Sequence, residues 1–181
     1  MNIEYTITII RKGNSMQRPI QLVNVDSLEW TDHTRKDRLL FRRKALGRAS
    51  GGMQLGASLY EVPPGQRLWT YHYHYANEEA MFVLEGTGVV RLPDGEYPIS
   101  KGDYLAFPRG PQGAHVVTAG PEAPLRLLVV STMIDPEING YPDSGKIAVF
   151  AGAAPGADRS RRTLDLYLRT DQPVDYWYGE E

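Results

Sequence analysis

The chain alternates between short apolar runs and clusters of turn-forming residues. The runs are rich in β-branched and aromatic residues, and they read "MQLGASLYEV", "LWTYHYHY", "AMFVLE", "VVRL", "YLAFP", "HVVTA" and "LRLLVVSTM". Glycine- and proline-containing turns separate them, for example at 63–65, 93–95 and 139–145. Short strands at such spacing are typical of antiparallel sheets that close into a sandwich or barrel. We therefore predict an all-β fold, ending in a strand at "LDLYLRT" and a tail, "VDYWYGE", that packs back on the body.

Composition narrows the possible classes of protein. The 181 residues suffice for one domain with a substantial core. The absence of cysteine excludes disulfides, thiolate metal ligands and a cysteine nucleophile. The formal net charge is only −2, and the basic stretch 34–48 is interrupted by Asp37 and by apolar residues. We interpret that stretch as a strand or short helix with one solvated basic face, so no nucleic-acid partner is expected.

The first residues do not resemble a signal peptide. "MNIEYTITIIRKGNS" carries Glu4 before a short apolar run and lacks a basic leading region, and no later run has the length of a membrane span. We predict a cytoplasmic protein without a membrane partner. Residues 1–15 are expected to form a flexible, dispensable extension, and residues 16–181 a single domain.

The hexapeptide "TYHYHY" (70–75) is the most informative stretch for function. Because successive side chains of a strand point to opposite faces, Thr70, His72 and His74 share one face. The tyrosines share the other face, with Trp69 beside them. Glu79 begins the next predicted strand, and His115 lies in "GAHVV". Three imidazoles and one carboxylate converging inside a barrel would suit a divalent transition metal.

A structural role for these histidines is the competing interpretation. A single histidine in a strand is usually hydrogen-bonded or exposed, and an HxH pair alone is a weak signal. The chain has only four histidines, however, and three of them fall in this set. The joint pattern favours metal binding. His33, in "WTDHTRK", is outside the set, and we predict that it lies on the surface.

These residues resemble the two motifs of the cupin superfamily. The first motif runs from Gly65 through His72, His74 and Glu79 to Gly86. The second runs from Gly102 through Pro108 and Gly110 to His115, so the two cover residues 65–115. Two spacings depart from the family pattern. One extra residue precedes His72, and His115 lies two residues further from Gly110 than usual. Glu78 could replace Glu79 as the acidic ligand, although the spacing to Gly86 favours Glu79.

The resemblance implies a fold, a cofactor and a class of function. The fold would be a cupin double-stranded β-helix, or jelly-roll barrel, with N- and C-terminal extensions. His72, His74, Glu79 and His115 would hold Fe, Mn, Ni, Co or Zn. The chain is also similar to a bacterial group sometimes described as sugar-phosphate isomerases. It would then be a metal-dependent isomerase, epimerase or dioxygenase acting on a small polar molecule, or alternatively a non-catalytic barrel that binds a small ligand with a structural or sensing metal.

Two further expectations concern the substrate and the assembly. A phosphorylated substrate needs cationic partners at the barrel mouth, and Arg109, before His115, is a weak candidate. Tyr104 is a second weak candidate for substrate binding. An outward row of Trp69 and the three tyrosines would require cover, either from the chain's own terminal segments or from a second copy in a homodimer.

Overall fold

The fold is an antiparallel β sandwich, as the sequence predicts. The structure, a computed structural model, describes residues 18–180, so the predicted extension over 1–15 lies outside the described residues. The strands are β1 Thr31–Arg35, β2 Arg38–Lys44, β3 Leu55–Val62, β4 Arg67–His74, β5 Glu79–Glu85, β6 Thr87–Leu92, β7 Gly95–Ser100, β8 Tyr104–Phe107, β9 His115–Ala119, β10 Leu125–Thr132, β11 Glu137–Tyr141, β12 Lys146–Ala151 and β13 Leu164–Arg169. One short helix, α1, spans Leu46–Ala49.

Two sheets form the sandwich. The six-stranded sheet has the order β1-β2-β3-β10-β5-β8, and the seven-stranded sheet has the order β13-β12-β11-β4-β9-β6-β7. Single 3₁₀ turns at Val25–Ser27, Pro111–Gly113, Pro142–Ser144 and Arg159–Arg161 complete the secondary structure. No helix between residues 18 and 180 is long and apolar enough to cross a membrane.

One apolar core lies between the sheets. Its fully buried members come from both sheets and include Phe41, Val62, Leu68, Val83, Val117, Leu125 and Leu127. A fully buried leucine or valine side chain contributes roughly 1.5–3 kcal/mol relative to an exposed one. The buried His115 stacks on Phe107, a member of this core, with 3.7 Å between the ring centroids.

Strand β4 departs from regular alternation at its start. Leu68 pairs with Val117 and His72 pairs with His115, so residues 69–71 of β4 lie opposite a single residue of β9. Trp69 occupies this bulge with a φ of 62°, a conformation that non-glycine residues rarely adopt. Its ring contacts Phe41, with 4.4 Å between the ring centroids. The prediction that Trp69 lies on the outer face with the tyrosines is therefore wrong, because the extra residues turn it inward.

The tail does not pack back on the body. Tyr176, Trp177 and Tyr178 are 85%, 70% and 73% exposed. Tyr71 is instead buried by its own sheet, beside Ala114 and Val116, and the Arg91 guanidinium lies 4.0 Å above its ring. The prediction of a packed tail is therefore wrong, and the chain covers the first tyrosines of the row without it.

Strand β11 occupies part of a segment that the sequence marks as a turn. Asn139 pairs with His74, and Gly140 pairs with Tyr73, so β11 extends the sheet beside β4. A Cβ atom on Gly140 would lie 2.1 Å from the ring of Tyr73. The glycine is therefore a close-packing residue in a strand, and residues 139–145 turn only after Tyr141.

Candidate metal centre

Three strands bring the four predicted ligand residues together. His72 and His74 come from the end of β4, Glu79 begins β5, and His115 begins β9. The ring centroids of His72 and His74 are 4.9 Å apart, and those of His72 and His115 are 4.8 Å apart. The three imidazoles are 7%, 6% and 1% exposed, in chain order. The motif spacing therefore yields a compact, buried cluster.

Each imidazole presents its Nδ1 atom to an oxygen of the protein. The Nδ1 atom of His72 lies 2.7 Å from the carbonyl oxygen of Thr70, and that of His115 lies 2.9 Å from the carbonyl oxygen of Gly113. The Nδ1 atom of His74 lies 3.4 Å from the Glu137 carboxylate. An acceptor at Nδ1 favours the tautomer that carries its proton there, which leaves the Nε2 lone pair for a metal.

The described part of the chain supplies no hydrogen-bond donor to the Nε2 atoms of His74 and His115. Both ring nitrogens of His74 are buried with no hydrogen-bond partner among the described residues, because the Glu137 carboxylate 3.4 Å from Nδ1 is not in hydrogen-bonding geometry. His115 Nε2 lies 3.1 Å from Glu79 Oε1. If His115 is neutral and donates through Nδ1, then Nε2 and the carboxylate are two acceptors facing each other. A cation between them would satisfy both, so the donor set fits a bound metal ion.

The side chains are not yet arranged as a closed coordination shell. Within residues 18–180, no group of three or more histidine, aspartate or glutamate side chains is drawn together tightly enough to hold an ion as placed. Metal–nitrogen bonds are about 2.0–2.1 Å long for zinc, so the ligating atoms must converge on one point. Small rotations of the rings and of Glu79 would therefore accompany binding.

The local electrostatics favours the ligating protonation states of His72 and Glu79. For His74, burial alone would lower the pKa, but the carboxylates of Glu137 and Glu79 outweigh burial and raise it. Burial, reinforced by repulsion from His115 and His74, lowers the pKa of His72 to about 3. Burial alone would raise the pKa of Glu79, but His115, which in its protonated form donates to Glu79 and bears a positive charge, outweighs this and lowers the pKa to about 2. His72 is therefore neutral and Glu79 ionised at neutral pH, as metal ligation requires.

Glu137 is a supporting residue that the sequence analysis missed. Its side chain is fully buried, and its carboxylate accepts hydrogen bonds from the backbone N–H groups of Tyr75 (3.0 Å), Ala76 (2.9 Å), Asn77 (3.1 Å) and Ile138 (2.9 Å), and from the Asn77 side-chain amide. It thus fixes the turn between β4 and β5 and lies beside His74. Nothing local marks it, because all the groups it binds except the Ile138 amide lie about 60 residues away in sequence.

A cavity of about 420 Å³ connects the cluster with the surface. His72, His74 and Glu79 lie in its wall, along with amides, aromatic rings and cations. Its other lining residues include His33, Arg43, Tyr60, Trp69, Asn139, Tyr141, Phe150, Arg159, Arg162 and Tyr167. Several of them come from β11–β13 and from the segment between β12 and β13.

The structure does not bring the two weak substrate-binding candidates to this cavity. Tyr104 is 66% exposed and pairs with the exposed Phe82 on the outer side of β5 and β8. Arg109 is exposed in the loop before His115 and does not line the cavity. His33, predicted to lie on the surface, instead lines the cavity and stacks on Phe41, with 4.6 Å between the ring centroids.

The sandwich and its motifs define the class of protein, and the comparisons agree. Residues 58–131 match the family model described as a cupin domain. This part of the chain is a cupin domain, and the two antiparallel sheets form the cupin jelly roll.

Individual relatives extend the comparison. A cupin-superfamily sugar phosphate isomerase from Silicibacter pomeroyi superposes with a TM-score of 0.68 at 27% identity, covering 86% of this chain and 97% of that one. A protein from Acidithiobacillus ferrooxidans, provisionally described as a sugar phosphate isomerase, gives a TM-score of 0.69 at 24% identity, covering 86% and 96%. An uncharacterised protein of Methanocaldococcus jannaschii is 33% identical over 70 residues, 39% of this chain and 54% of its own length. The chain thus spans about half of that curated relative.

Proposed function

We propose that this protein is a metal-dependent enzyme that isomerises or epimerises a phosphorylated sugar. The observation that carries the proposal is the buried cluster of His72, His74, Glu79 and His115 beside a cavity that opens to the surface. Such an opening gives a small molecule access to the proposed metal, which a metal with a purely structural role would not require. The 27% identity to a sugar phosphate isomerase over nearly the whole of that chain supports the choice of substrate class.

The four side chains would hold a divalent transition metal. Zinc with four protein ligands would have no open position, whereas iron, manganese, cobalt and nickel accept five or six ligands. The ion would supply Lewis-acid polarisation of a substrate carbonyl or hydroxyl. Such polarisation suits isomerisation, in which a proton moves between neighbouring carbon atoms.

Proton transfer requires side chains in the same cavity, and three are suitably placed. Burial and the charge of Arg43 lower the pKa of His33, so its imidazole is neutral at pH 7 and can accept a proton. Burial and the neighbouring Tyr167 raise the pKa of Tyr141 to about 12, and burial also raises the pKa of Tyr60. Both phenols therefore stay protonated and can donate hydrogen bonds to substrate oxygens. We assign His33 the role of general base.

Metal content and turnover test the proposal together. The purified protein is stripped of metal, reloaded separately with each of the five candidate ions, and assayed for isomerisation of a panel of sugar phosphates by NMR in deuterated water. Deuterium incorporation at a carbon beside the carbonyl is the expected result. Oxygen uptake in place of isomerisation would instead support a dioxygenase, and the absence of any turnover with every ion would favour the non-catalytic barrel.

The acidic neighbours offer a matched pair of variants. Glu79→Gln is expected to lower bound metal at least tenfold, because it removes the only carboxylate of the proposed ligand set. Glu78→Gln should retain metal, since Glu78 is exposed. His72→Ala and His74→Ala should each lose metal while the far-ultraviolet circular dichroism keeps its β signature. Equal metal content in all four variants by elemental analysis would contradict the assignment.

A further inference from the structure

Three arginines surround the outer part of the cavity. Arg43 comes from β2, while Arg159 and Arg162 come from the segment that joins β12 to β13. We call these three residues the arginine mouth. None of them belongs to the sequence motifs, and all three lie outside residues 58–131, which match the cupin domain.

Arg43 carries its charge without an acidic partner. Its Nε atom donates to the Ser58 hydroxyl at 2.9 Å, and one Nη2 hydrogen is donated to the carbonyl oxygen of Gly156 at 3.0 Å. Among residues 18–180, no carboxylate lies within ion-pair distance of this guanidinium. Both bonds hold it in place, and the two hydrogens of Nη1 stay available. A half-buried cation oriented by neutral groups is suited to receive an anion from outside the protein.

Arg159 and Arg162 share one carboxylate. The Asp165 carboxylate lies 2.6 Å from Arg159 Nε and 3.2 Å from Arg162 Nη1. Arg162 is also fixed by a bond to the carbonyl oxygen of Ala153 at 3.2 Å and by the Phe150 ring, 3.9 Å from its guanidinium carbon. Two cations against one anion leave one net positive charge, and Arg43 adds a second. The mouth therefore has the charge that complements a dianion.

The inner cavity wall offers groups for the uncharged part of a ligand. Asn139 is 5% exposed, and its Oδ1 atom has no hydrogen-bond partner in the described chain. An unpaired buried acceptor costs about 1–3 kcal/mol, which a ligand hydroxyl could recover. Tyr141 and Tyr167 lie in the same wall. Acceptor and donor groups are therefore set between the histidine cluster and the arginine mouth, as a polyhydroxylated ligand requires.

We propose that the arginine mouth binds the phosphate group of the substrate, with the sugar hydroxyls directed towards Asn139 and the histidine cluster. The proposal rests on the proposed function only for the identity of the remainder of the ligand. A phosphate ester at neutral pH carries a charge of about −1.5 to −2 and has three acceptor oxygens. A carboxylate carries one negative charge and has two acceptor oxygens. The net charge and the separate directions of the three guanidinium groups favour the phosphate.

Inorganic phosphate is the direct probe of this site. Metal-free full-length protein is titrated with phosphate by isothermal calorimetry at low ionic strength, so that no bound ion can contribute. Arg43→Gln and Arg159→Gln are compared with Arg169→Gln, a control whose arginine pairs with Asp171 on the surface. Each charge-assisted contact is worth roughly 10–100-fold in affinity, so we expect at least a tenfold loss in the first two variants and none in the control.

Arg159 keeps the test valid if Arg43→Gln does not fold. The Arg159 side chain is 75% exposed, so its replacement should leave the thermal midpoint nearly unchanged. A second series compares a pentose 5-phosphate, the free pentose and a uronic acid. Stronger binding of the phosphate ester, lost in Arg159→Gln, is the expected pattern. Stronger binding of the uronic acid would overturn the phosphate assignment, as would wild-type phosphate affinity in both mouth variants or no phosphate binding at all.

This outcome is separable from that of the proposed function. His72→Ala should lose metal yet bind phosphate as the wild type does, because it leaves all three arginines in place. If phosphate binds at the arginine mouth but no isomerisation is found with any ion, the anion site stands and the enzymatic proposal fails. The reverse result, turnover that is indifferent to Arg43 and Arg159, overturns the anion site alone.

Discussion

Replacing Glu137 with glutamine should destabilise the fold and disturb the metal centre together. The buried carboxylate accepts from the backbone amides of Tyr75, Ala76, Asn77 and Ile138. The substitution exchanges one acceptor oxygen for an NH₂ group, which places donors against donors at two or more of these positions. Hydrogen bonds to a charged group contribute about 1.5–3 kcal/mol each. The loss of two gives a destabilisation of roughly 3–6 kcal/mol, a large part of a typical free energy of unfolding.

Thermal and urea unfolding of the metal-free protein measure this effect directly. For a domain of this size, a loss of about 4 kcal/mol lowers the thermal midpoint by roughly 8–16 °C. Glu85→Gln is the matched control, because the Glu85 side chain is 63% exposed and only forms a surface ion pair with Arg126 at 3.1 Å. Such a pair is worth about 0–1 kcal/mol.

The pH dependence of stability gives an independent check that the ionised Glu137 carboxylate stabilises the fold. Burial alone would raise the pKa of Glu137, but its interaction with the neighbouring His74 and the hydrogen bonds from Ala76 and Asn77 outweigh burial and lower the pKa below its ordinary value. The stabilisation is therefore fully present above the pKa of an unfolded glutamate, about 4.3, and is lost as pH falls through the lower folded value. In Glu137→Gln, the free energy of unfolding should therefore fall less steeply with decreasing pH in this acidic range than it does in the wild type.

Metal affinity shows whether Glu137 positions His74 for ligation in addition to stabilising the fold. We expect the folded fraction of Glu137→Gln at low temperature to bind metal about 10–100-fold more weakly than the wild type, as is common when the partner of a ligating histidine is lost. Glu85→Gln should bind normally. Wild-type stability and wild-type metal affinity in Glu137→Gln would refute the reasoning from the hydrogen bonds.

Three more predictions follow from features described above. His33→Gln should lower kcat at least a hundredfold while elemental analysis shows unchanged metal, and retained kcat would exclude His33 as the base. Gly140→Ala should lower the free energy of unfolding in urea by roughly 1–3 kcal/mol, because its Cβ would meet the Tyr73 ring; an unchanged midpoint would contradict that packing. We predict a homodimer in solution, so light scattering should give twice the chain mass of 20.3 kDa; a monomeric mass would refute it.

The fold could be predicted from local pattern because its strands are short and clearly separated. "HVVTA" coincides with β9, and the other predicted runs differ from the observed strands by a few residues at their ends. Strand β11 was missed because Asn139 and Gly140 are turn-forming residues by composition. Only the neighbouring Tyr73 ring, which no local pattern reveals, explains the glycine there.

The inner part of the site was more predictable than its outer part. Alternation along 70–75 places His72 and His74 on one face, and the motif spacing brings Glu79 and His115 to them. The inward turn of Trp69 depends on extra residues relative to β9, which the sequence of β4 alone does not show. Nearness to His115 in the chain favours Arg109 as the cation, whereas the arginines that line the cavity come from a strand and a loop distant from His115 in sequence.

The contribution of β11–β13 has a consequence for how relatives should be grouped. Residues 58–131 contain the recognisable cupin signature, yet Asn139, Tyr141, Arg162 and Tyr167 lie after it and form much of the cavity wall. Two homologues with the same HxH signature can therefore bind entirely different ligands. Classification by the signature will sort such proteins by fold, while sorting them by preferred metabolite requires aligning the last three strands.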